Sequence, residues 1–342
     1  MSTPTVVRSG AQASGRTGSQ TLRKHPPLYR RRTRAAWGFA LPFVLLFVTF
    51  TAGPVLMSLG MAVTDIRSRD LRNPFAVEFV GLDNFVTVLQ DPLFLKAAGN
   101  TAYFVLVGVP LTLGLSLGIA VILNAGITRF KTLFRVGYYM PVVTSIVAVA
   151  VVWRFLLHPD AGLINEVLGW VGIDGPHWLA STTWAMPSMI AMATWRSIGT
   201  LIIIFLAGLQ GVPTSLHEAA ALDGANAWQR FRNITLPTMR PTLLFGAVIT
   251  GIGYVQFFEE PFVMTQGGPL NSTLSVAYQT YNQFGFGNYG YAAAMSYVLF
   301  LAVVILTVIQ FRFLGERDTP RRRRLWRRRP APTAVARQEI GR

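Results

Sequence analysis

The chain has 342 residues, of which 31 are Lys or Arg and 15 are Asp or Glu, and it contains no cysteine. Charged residues make up 13% of the sequence and hydrophobic residues 51%, yet the formal net charge is +16 and the pI about 11.1. These values exclude a disulfide-rich secreted domain and are untypical of soluble or disordered chains. A high pI is typical of nucleic-acid-binding proteins, but so apolar a chain must hold its charge in a few segments. Nucleic acid is therefore not an expected partner.

Long stretches without charged residues predict membrane-spanning helices, because a helix needs about 20 mainly apolar residues to cross a bilayer. A stretch rich in Gly, Asn and Ser, from Gly267 to Asn288, is predicted to be a loop before the last span. We expect spans near 36–62, 98–124, 137–158, 186–210, 238–262 and 289–314. The sequence therefore predicts an all-α polytopic membrane protein with six transmembrane helices.

The distribution of basic residues predicts the orientation of these spans. The tail that ends at Arg34 holds eight Lys and Arg residues, and the segment from Arg312 holds eleven. The opposite side of the predicted bundle holds four basic and eight acidic residues. By the positive-inside rule, both termini are cytoplasmic. We predict a basic disordered tail at 1–35, a transmembrane domain at 36–314 and an Arg-rich tail at 315–342 that attracts anionic membrane lipid.

Motifs for catalysis or metal binding are weak in this sequence. No lysine follows a glycine, which excludes a Walker A loop, so another chain must bind the nucleotide if ATP is used. The four histidines are scattered and no cysteine is present, so we predict no metal, cofactor or catalytic site. The expected protein is not an enzyme.

The connection between the fourth and fifth spans, residues 211–237, has the most distinctive pattern. Ser215 and Glu218 have the spacing of a capping box at the start of a short helix. Gly224 can adopt a positive φ and end that helix. An amphipathic segment follows, which Pro237 is expected to end before the fifth span. The pattern predicts two short helices that project from the membrane at an angle to each other.

This segment is similar to the EAA loop of ABC importer permeases, in which E-A-A is followed by three residues, a glycine, nine residues and I-x-L-P. The resemblance covers about residues 37–314. The run Thr265–Pro269, which reads T-x-G-G-P, resembles the carbohydrate-importer branch, the MalF-like permeases that depend on a binding protein. This resemblance implies a type I ABC importer (MetI-like) transmembrane domain in the bacterial inner membrane. The residues expected to contact the ATPase are Glu218, Ala219, Ala220, Asp223, Gly224, Ile234, Leu236 and Pro237.

By the same resemblance, the chain is a permease subunit that forms half of a sugar pathway and works by alternating access. The implied partners are a second homologous permease, a dimer of ATPase subunits and an extracytoplasmic solute-binding protein. ATP hydrolysis then belongs to a separate subunit. One open alternative is the import of glycerol-3-phosphate, a polyol or another small solute, and Arg196 would suit a phosphate ester. A secondary transporter is the alternative from a different class.

Polar residues inside spans are candidates for the substrate pathway, because they are costly in a bilayer. In the family, spans four and five, which flank the EAA loop, build the central site. Gln256, Glu259 and Glu260 have the spacing of one helix face. Alternatively, Arg196 pairs with Glu259 or Glu260, within this chain or across to the second permease. The candidate pathway residues are Trp195, Arg196, Thr200, Tyr254, Gln256, Phe257 and Glu260.

Overall fold

A computed structural model describes residues 28–73, 77–125 and 131–315 of the chain. Most of both predicted tails, residues 1–27 and 316–342, lies outside this part. The described residues are predominantly helical, and the chain divides into two compact units between Leu56 and Met57. The predicted all-α class is confirmed.

The helices of the described part define the labels used below. In chain order they are α1 (Leu28–Phe47), α2 (Gly53–Ala62), α3 (Asp83–Gln90), α4 (Pro92–Asn124), α5 (Lys131–Val143), α6 (Ile146–Leu156), α7 (Leu163–Trp170), α8 (Ala185–Gln210), α9 (Thr214–Leu222), α10 (Ala227–Arg230), α11 (Leu236–Thr238), α12 (Arg240–Val255), α13 (Glu259–Met264), α14 (Val276–Gly285) and α15 (Tyr289–Leu314). Two π-helical segments, Val48–Ala52 and Phe231–Thr235, and a 3-10 helix, Ser68–Arg72, lie between them. An isolated bridge between Thr64 and Phe79 is the only β geometry in the described residues.

Four helical stretches are long and apolar enough to cross a membrane, and they match four of the predicted spans. They are Ala36–Ala62, Pro92–Asn124, Ala185–Gln210 and Tyr289–Leu314. Helix α1 begins at Leu28, so residues 28–35, which were predicted to be disordered, are helical. Helix α4 begins six residues before the predicted start at 98, because Asp91 caps it by accepting the N–H of Leu93 at 2.9 Å.

The third predicted span, 137–158, is not one straight helix. Its halves, Gly137–Val143 and Ile146–Leu156, are bent by 115° relative to each other. Pro141 cannot donate a backbone hydrogen bond, and the Thr144 hydroxyl donates to its carbonyl at 2.9 Å. Ser145, with φ −59° and ψ 129°, then leaves the helical conformation. If the bent pair counts as one span, the described residues hold five.

The fifth predicted span, 238–262, is also divided. Helix α12 has 16 residues and ends at Val255, and the separate helix α13 begins at Glu259. A continuous helix would need the N–H of residue 261 to bind the carbonyl of residue 257, and Pro261 has no N–H. Pro261 instead lies in the first turn of α13, where a missing N–H has no cost. Gln256 therefore ends one helix while Glu260 belongs to the next, so these residues do not share one helix face.

The predicted loop from Gly267 to Asn288 contains a helix, α14. Ser275 caps it by accepting the N–H of Tyr278 at 3.0 Å. Val276, Tyr278 and Gln279 are buried, because α14 packs against α15 and α4. Burial of this face explains why an ordered helix replaces the predicted loop.

A bundle centred on α4, α8, α12 and α15 forms the core of the second unit. Helix α4 packs along α8, and α12 packs against both α4 and α15. Buried side chains such as Phe104, Met189, Ile190 and Val255 fill the space between these helices. Helices α4 and α12, which both pack against α8 of the fourth predicted span, therefore share one core with it.

Close packing between α5 and α8 predicts that Gly199→Ala is destabilising. A Cβ at Gly199 would overlap the carbonyl oxygen of Tyr138 and lie 2.9 Å from Val142 Cγ2. Because the backbone must move to relieve this overlap, we expect the free energy of unfolding to fall by about 1–3 kcal/mol and the Tm in detergent to be lower. Gly118→Ala is the matched control, since no atom lies within 4 Å of a Cβ there and alanine favours a helix. Equal Tm values for the two variants would contradict this account.

Candidate functional site

Helix α9 and the turn that ends it hold five of the eight predicted ATPase-contact residues, most of them on an exposed edge. Glu218, Ala219 and Asp223 are exposed, and the side chain of Leu222 is 90% exposed. The helix begins at Thr214 after Pro213, and no side chain caps it. The predicted capping box of Ser215 and Glu218 is therefore wrong, because Ser215 already lies in the first helical turn.

Gly224 ends α9 with φ +81°, as the sequence predicts. The N–H of Gly224 binds the carbonyl of Ala221 at 3.1 Å, and the N–H of Ala225 binds the carbonyl of Ala220 at 2.9 Å. These two bonds form a Schellman motif, which needs a left-handed residue at the Gly224 position. A Cβ at Gly224 would meet no atom within 4 Å, so backbone conformation and not space requires glycine.

The second part of the segment is one helical run with a π-helical insertion. Asn226 and Gln229 cap its start reciprocally, each side-chain oxygen accepting the other residue's N–H at 2.8 Å. The run continues through Phe231–Thr235 into α11, where Pro237 occupies one of the first positions. Pro237 therefore does not end the helix as predicted, and Met239 separates α11 from α12. The missing N–H of Pro237 falls two residues after the π-helical segment, where the run returns to α-helical geometry.

Residues 211–237, called the coupling segment below, have two environments. Ala220, Ile234 and Leu236 are half-buried, and Ile234 packs against a buried cluster that includes Phe205 and Met239. Pro237 is exposed. The segment therefore has one face fixed to the bundle and one face, on α9, that is free in the described residues.

A second feature is a cleft of about 200 Å³ between α8, α12 and α13. It brings together five of the seven predicted pathway residues, which are Arg196, Thr200, Tyr254, Phe257 and Glu260. Trp195 and Gln256 are not among its lining residues. Trp195 is 45% exposed and packs against Trp153 at 5.9 Å between ring centroids, and Gln256 is exposed at the end of α12.

The charged residues of the cleft do not form an ion pair among the described residues. Glu260 is 5% exposed, and its Oε2 atom has no hydrogen-bond partner in this part of the chain. The Nε atom of Arg196 is likewise buried without a partner there. The intrachain pairing of Arg196 with Glu259 or Glu260, one of the alternatives above, is therefore absent in this structure. Glu260 and Arg196 instead each keep a buried polar atom without a partner in the described residues.

Tyr254 joins three helices beneath the cleft. Its hydroxyl lies 2.9 Å from Thr112 Oγ1 on α4 and donates to Ser197 Oγ on α8 at 3.5 Å. Thr112 also lies 3.0 Å from Thr194 Oγ1. The ring fits against Gly108, where a Cβ would lie 2.8 Å from Tyr254 Cε2. Sequence reasoning missed Thr112, Thr194 and Ser197, and their only signal was a hydroxyl inside an apolar span.

The aromatic wall of the cleft is held in the same core. Phe257 stacks on Phe104 of α4, with 4.0 Å between ring centroids and 1° between ring planes. Both side chains are buried, Phe257 at 3% exposure. The position of Phe257 is therefore fixed without a ligand. Helix α4, which is not one of the two spans predicted to build the site, holds it in place.

Comparison with known proteins assigns the class. Residues 111–317 match the family of binding-protein-dependent transport system inner membrane components. That stretch covers more than half of the chain, and the chain belongs to this family. The predicted relation to ABC importer permeases is confirmed.

Two similar proteins are permeases of named sugar transport systems. The lactose transport system permease protein LacF of Rhizobium radiobacter is 36% identical over 287 residues, which cover 82% of this chain and 94% of that protein. The arabinooligosaccharides transport system permease protein AraP of Halalkalibacterium halodurans is 32% identical, covering 80% of this chain and 85% of that protein. These relatives confirm the resemblance to carbohydrate-importer permeases.

Solved structures share the fold. A chain of a bacterial ABC transporter that imports the acidic polysaccharide alginate matches with a TM-score of 0.69 and 24% identity, over 84% of this chain and 98% of that chain. A structure of the alginate transporter in complex with a periplasmic protein that holds an alginate pentasaccharide matches with a TM-score of 0.70. These two structures thus share the helical fold described above.

Proposed function

We propose that this chain is one of two permease subunits of an ATP-driven sugar importer in the bacterial inner membrane. The observation that carries the proposal is the exposed edge of α9, on which Glu218 has the spacing of the EAA loop. Helix α9 follows α8 after three residues, and α10 and α11 lead directly into α12. Both α8 and α12 line the cleft. Force applied to α9 by an ATPase would therefore reach the cleft through a short covalent path.

The sugar assignment rests on the chemistry of the cleft together with the named relatives. Tyr254 and Phe257 supply aromatic surface, and Thr200 and Glu260 supply groups that hydrogen-bond hydroxyls. The relatives named above transport lactose and arabinooligosaccharides. A neutral sugar satisfies both kinds of contact, so it is the proposed substrate.

In this proposal the chain works only as part of a complex. A second homologous permease supplies the other half of the pathway, an ATPase dimer hydrolyses ATP, and a solute-binding protein delivers the sugar from outside. The solved alginate transporter with its periplasmic protein supports such an assembly. Six spans and two cytoplasmic termini complete the proposal, with α5 and α6 forming the third span and α12 with α13 the fifth. The excess of basic residues on the termini supports this orientation.

Uptake measurements test the proposal and its alternatives. We expect cells that contain the chain to take up labelled lactose or an arabinooligosaccharide, and cells without the gene to lose this uptake. Depleting ATP should stop uptake, whereas collapsing the proton gradient at constant ATP should not. If the cells take up glycerol-3-phosphate and neither sugar, the substrate is glycerol-3-phosphate and the sugar assignment is wrong. Uptake that fails with the gradient while ATP is preserved would contradict the ABC mechanism.

A further inference from the structure

A second cavity, of about 400 Å³, lies between the coupling segment and the ends of two spans. Helix α4 ends beside it at Asn124 and α8 ends beside it at Gln210, and α9, α10 and the π-helical segment Phe231–Thr235 line its other sides. No residue lines both this cavity and the substrate cleft. The polar residues that line it are Asn124, Gln210, Thr214, His217, Arg230 and Thr235.

Arg230 lacks a counter-charge in this cavity. Its Nε atom is buried and has no hydrogen-bond partner among the described residues. No carboxylate lines the cavity, and both ion pairs recorded in the described part of the chain involve Arg69 instead. Glu218 and Asp223, the acidic residues of the coupling segment, are exposed and lie outside the lining. Arg230 is half-buried as a residue, and a buried Nε–H without an acceptor requires an explanation, which an anionic ligand supplies.

The other lining groups suit phosphate oxygens. Thr214, Asn124 and Gln210 can each donate a hydrogen bond, and His217 Nε2 lies 3.5 Å from Thr235 Oγ1 within the same wall. Because two candidate spans end at Asn124 and Gln210, the cavity lies at a membrane boundary, at the level of lipid headgroups. Basic pockets between helix ends at this level bind anionic headgroups.

We infer that this cavity binds a negatively charged phosphate group through Arg230, supplied by an anionic phospholipid or by a soluble phosphate compound. The site is independent of the transported solute and goes beyond the function proposed above. Since α9 and α10 both form its walls, the bound group holds the coupling segment against the ends of α4 and α8. Its occupancy therefore sets how firmly the ATPase-facing edge of α9 is attached to the bundle.

Thermal unfolding of the purified full chain in an uncharged detergent tests this site. Tm is measured against increasing phosphatidylglycerol, phosphatidylcholine or inorganic phosphate for the wild type, Arg230→Gln and Arg232→Gln. Arg232 is exposed, lies two residues away and carries the same charge, so it controls for surface attraction. We expect phosphatidylglycerol to raise the Tm of the wild type. The phosphatidylglycerol concentration that gives half of this increase should be about tenfold or more higher in Arg230→Gln and unchanged in Arg232→Gln.

The outcomes separate the two sources and can overturn the site. Stabilisation that depends on Arg230 with phosphatidylglycerol alone identifies the lipid, and the same dependence with inorganic phosphate identifies a soluble ligand. Equal responses of Arg230→Gln and the wild type to both ligands overturn the proposal, as do equal losses in both arginine variants. If Arg230→Gln does not fold, Ala227→Leu fills the cavity and keeps the arginine. An unchanged phosphatidylglycerol response in that variant also overturns the proposal.

Discussion

Replacing Glu218 by lysine is expected to lower sugar uptake about 30-fold or more without loss of the folded chain from the membrane. Glu218 is exposed on α9 and takes part in neither of the ion pairs of the described residues. Its replacement therefore removes no contact that holds this part of the chain together. In the proposed complex its carboxylate meets a basic residue of the ATPase, and truncating one member of such a buried pair costs about 2–5 kcal/mol. Uptake and co-purification of the ATPase with the tagged permease measure the effect.

Two further variants separate the lost carboxylate from the added positive charge. Glu218→Gln removes the charge alone and should weaken co-purification less than lysine does. Asn233→Lys adds a lysine at an exposed position of the π-helical segment and should leave uptake near the wild-type level. Wild-type uptake with Glu218→Lys would show that α9 is not the docking element. A loss of equal size in Asn233→Lys would show that added charge, and not the site, causes the effect.

The coupling segment was predictable because its conformation is set locally. Gly224 must be left-handed for the two bonds of the Schellman motif, and every atom involved lies within five residues of it. The error at Ser215 is a matter of register, since Pro213 lets the helix begin at Thr214. A capping-box spacing locates a helix start only to within a few residues. Here the position of Pro213 determines at which residue the helix begins.

The breaks in the third and fifth spans were not predicted because hydropathy is averaged over about 19 residues. That average is insensitive to whether the helix is continuous. Pro141 and Pro261 were the available signals, and the structure interrupts a helix close to each. Helix α14 was missed for another reason, since the burial of Val276 and Tyr278 comes from α4 and α15, which are distant in sequence.

The chemical character of the cleft was predictable from the sequence, but the tertiary contacts that hold its residues in place were not. Charge inside predicted spans pointed to Arg196 and Glu260, because it is costly in a bilayer, and the aromatic ring of Phe257 suited contact with a sugar. Thr112 is 142 residues from Tyr254, so their 2.9 Å contact is a consequence of tertiary packing alone. The position of Gln256 likewise depended on where α12 ends. A helical-face argument is valid only within one unbroken helix.

Glu260→Gln is expected to lower sugar uptake about tenfold or more while the Tm of the chain stays the same or rises. The side chain is buried at the edge of the cleft, and its Oε2 atom has no partner in the described residues. A hydrogen bond to a charged group contributes about 1.5–3 kcal/mol, so losing one to a sugar hydroxyl reduces binding by at least about tenfold. The amide keeps the size of the side chain. Initial uptake rates over a range of sugar concentrations should show a higher half-saturating concentration.

Lower uptake without a lower Tm distinguishes a substrate contact from a structural role. A carboxylate that only stabilises the fold has its acceptors filled, and its replacement lowers Tm. Glu260 instead keeps a buried oxygen unpaired, which is unfavourable in the empty protein and is retained only if a ligand or another subunit uses it. Glu166→Gln, the same change on the exposed face of α7, is the control and should alter neither readout. Unchanged uptake with Glu260→Gln would contradict the proposed contact between this side chain and the sugar.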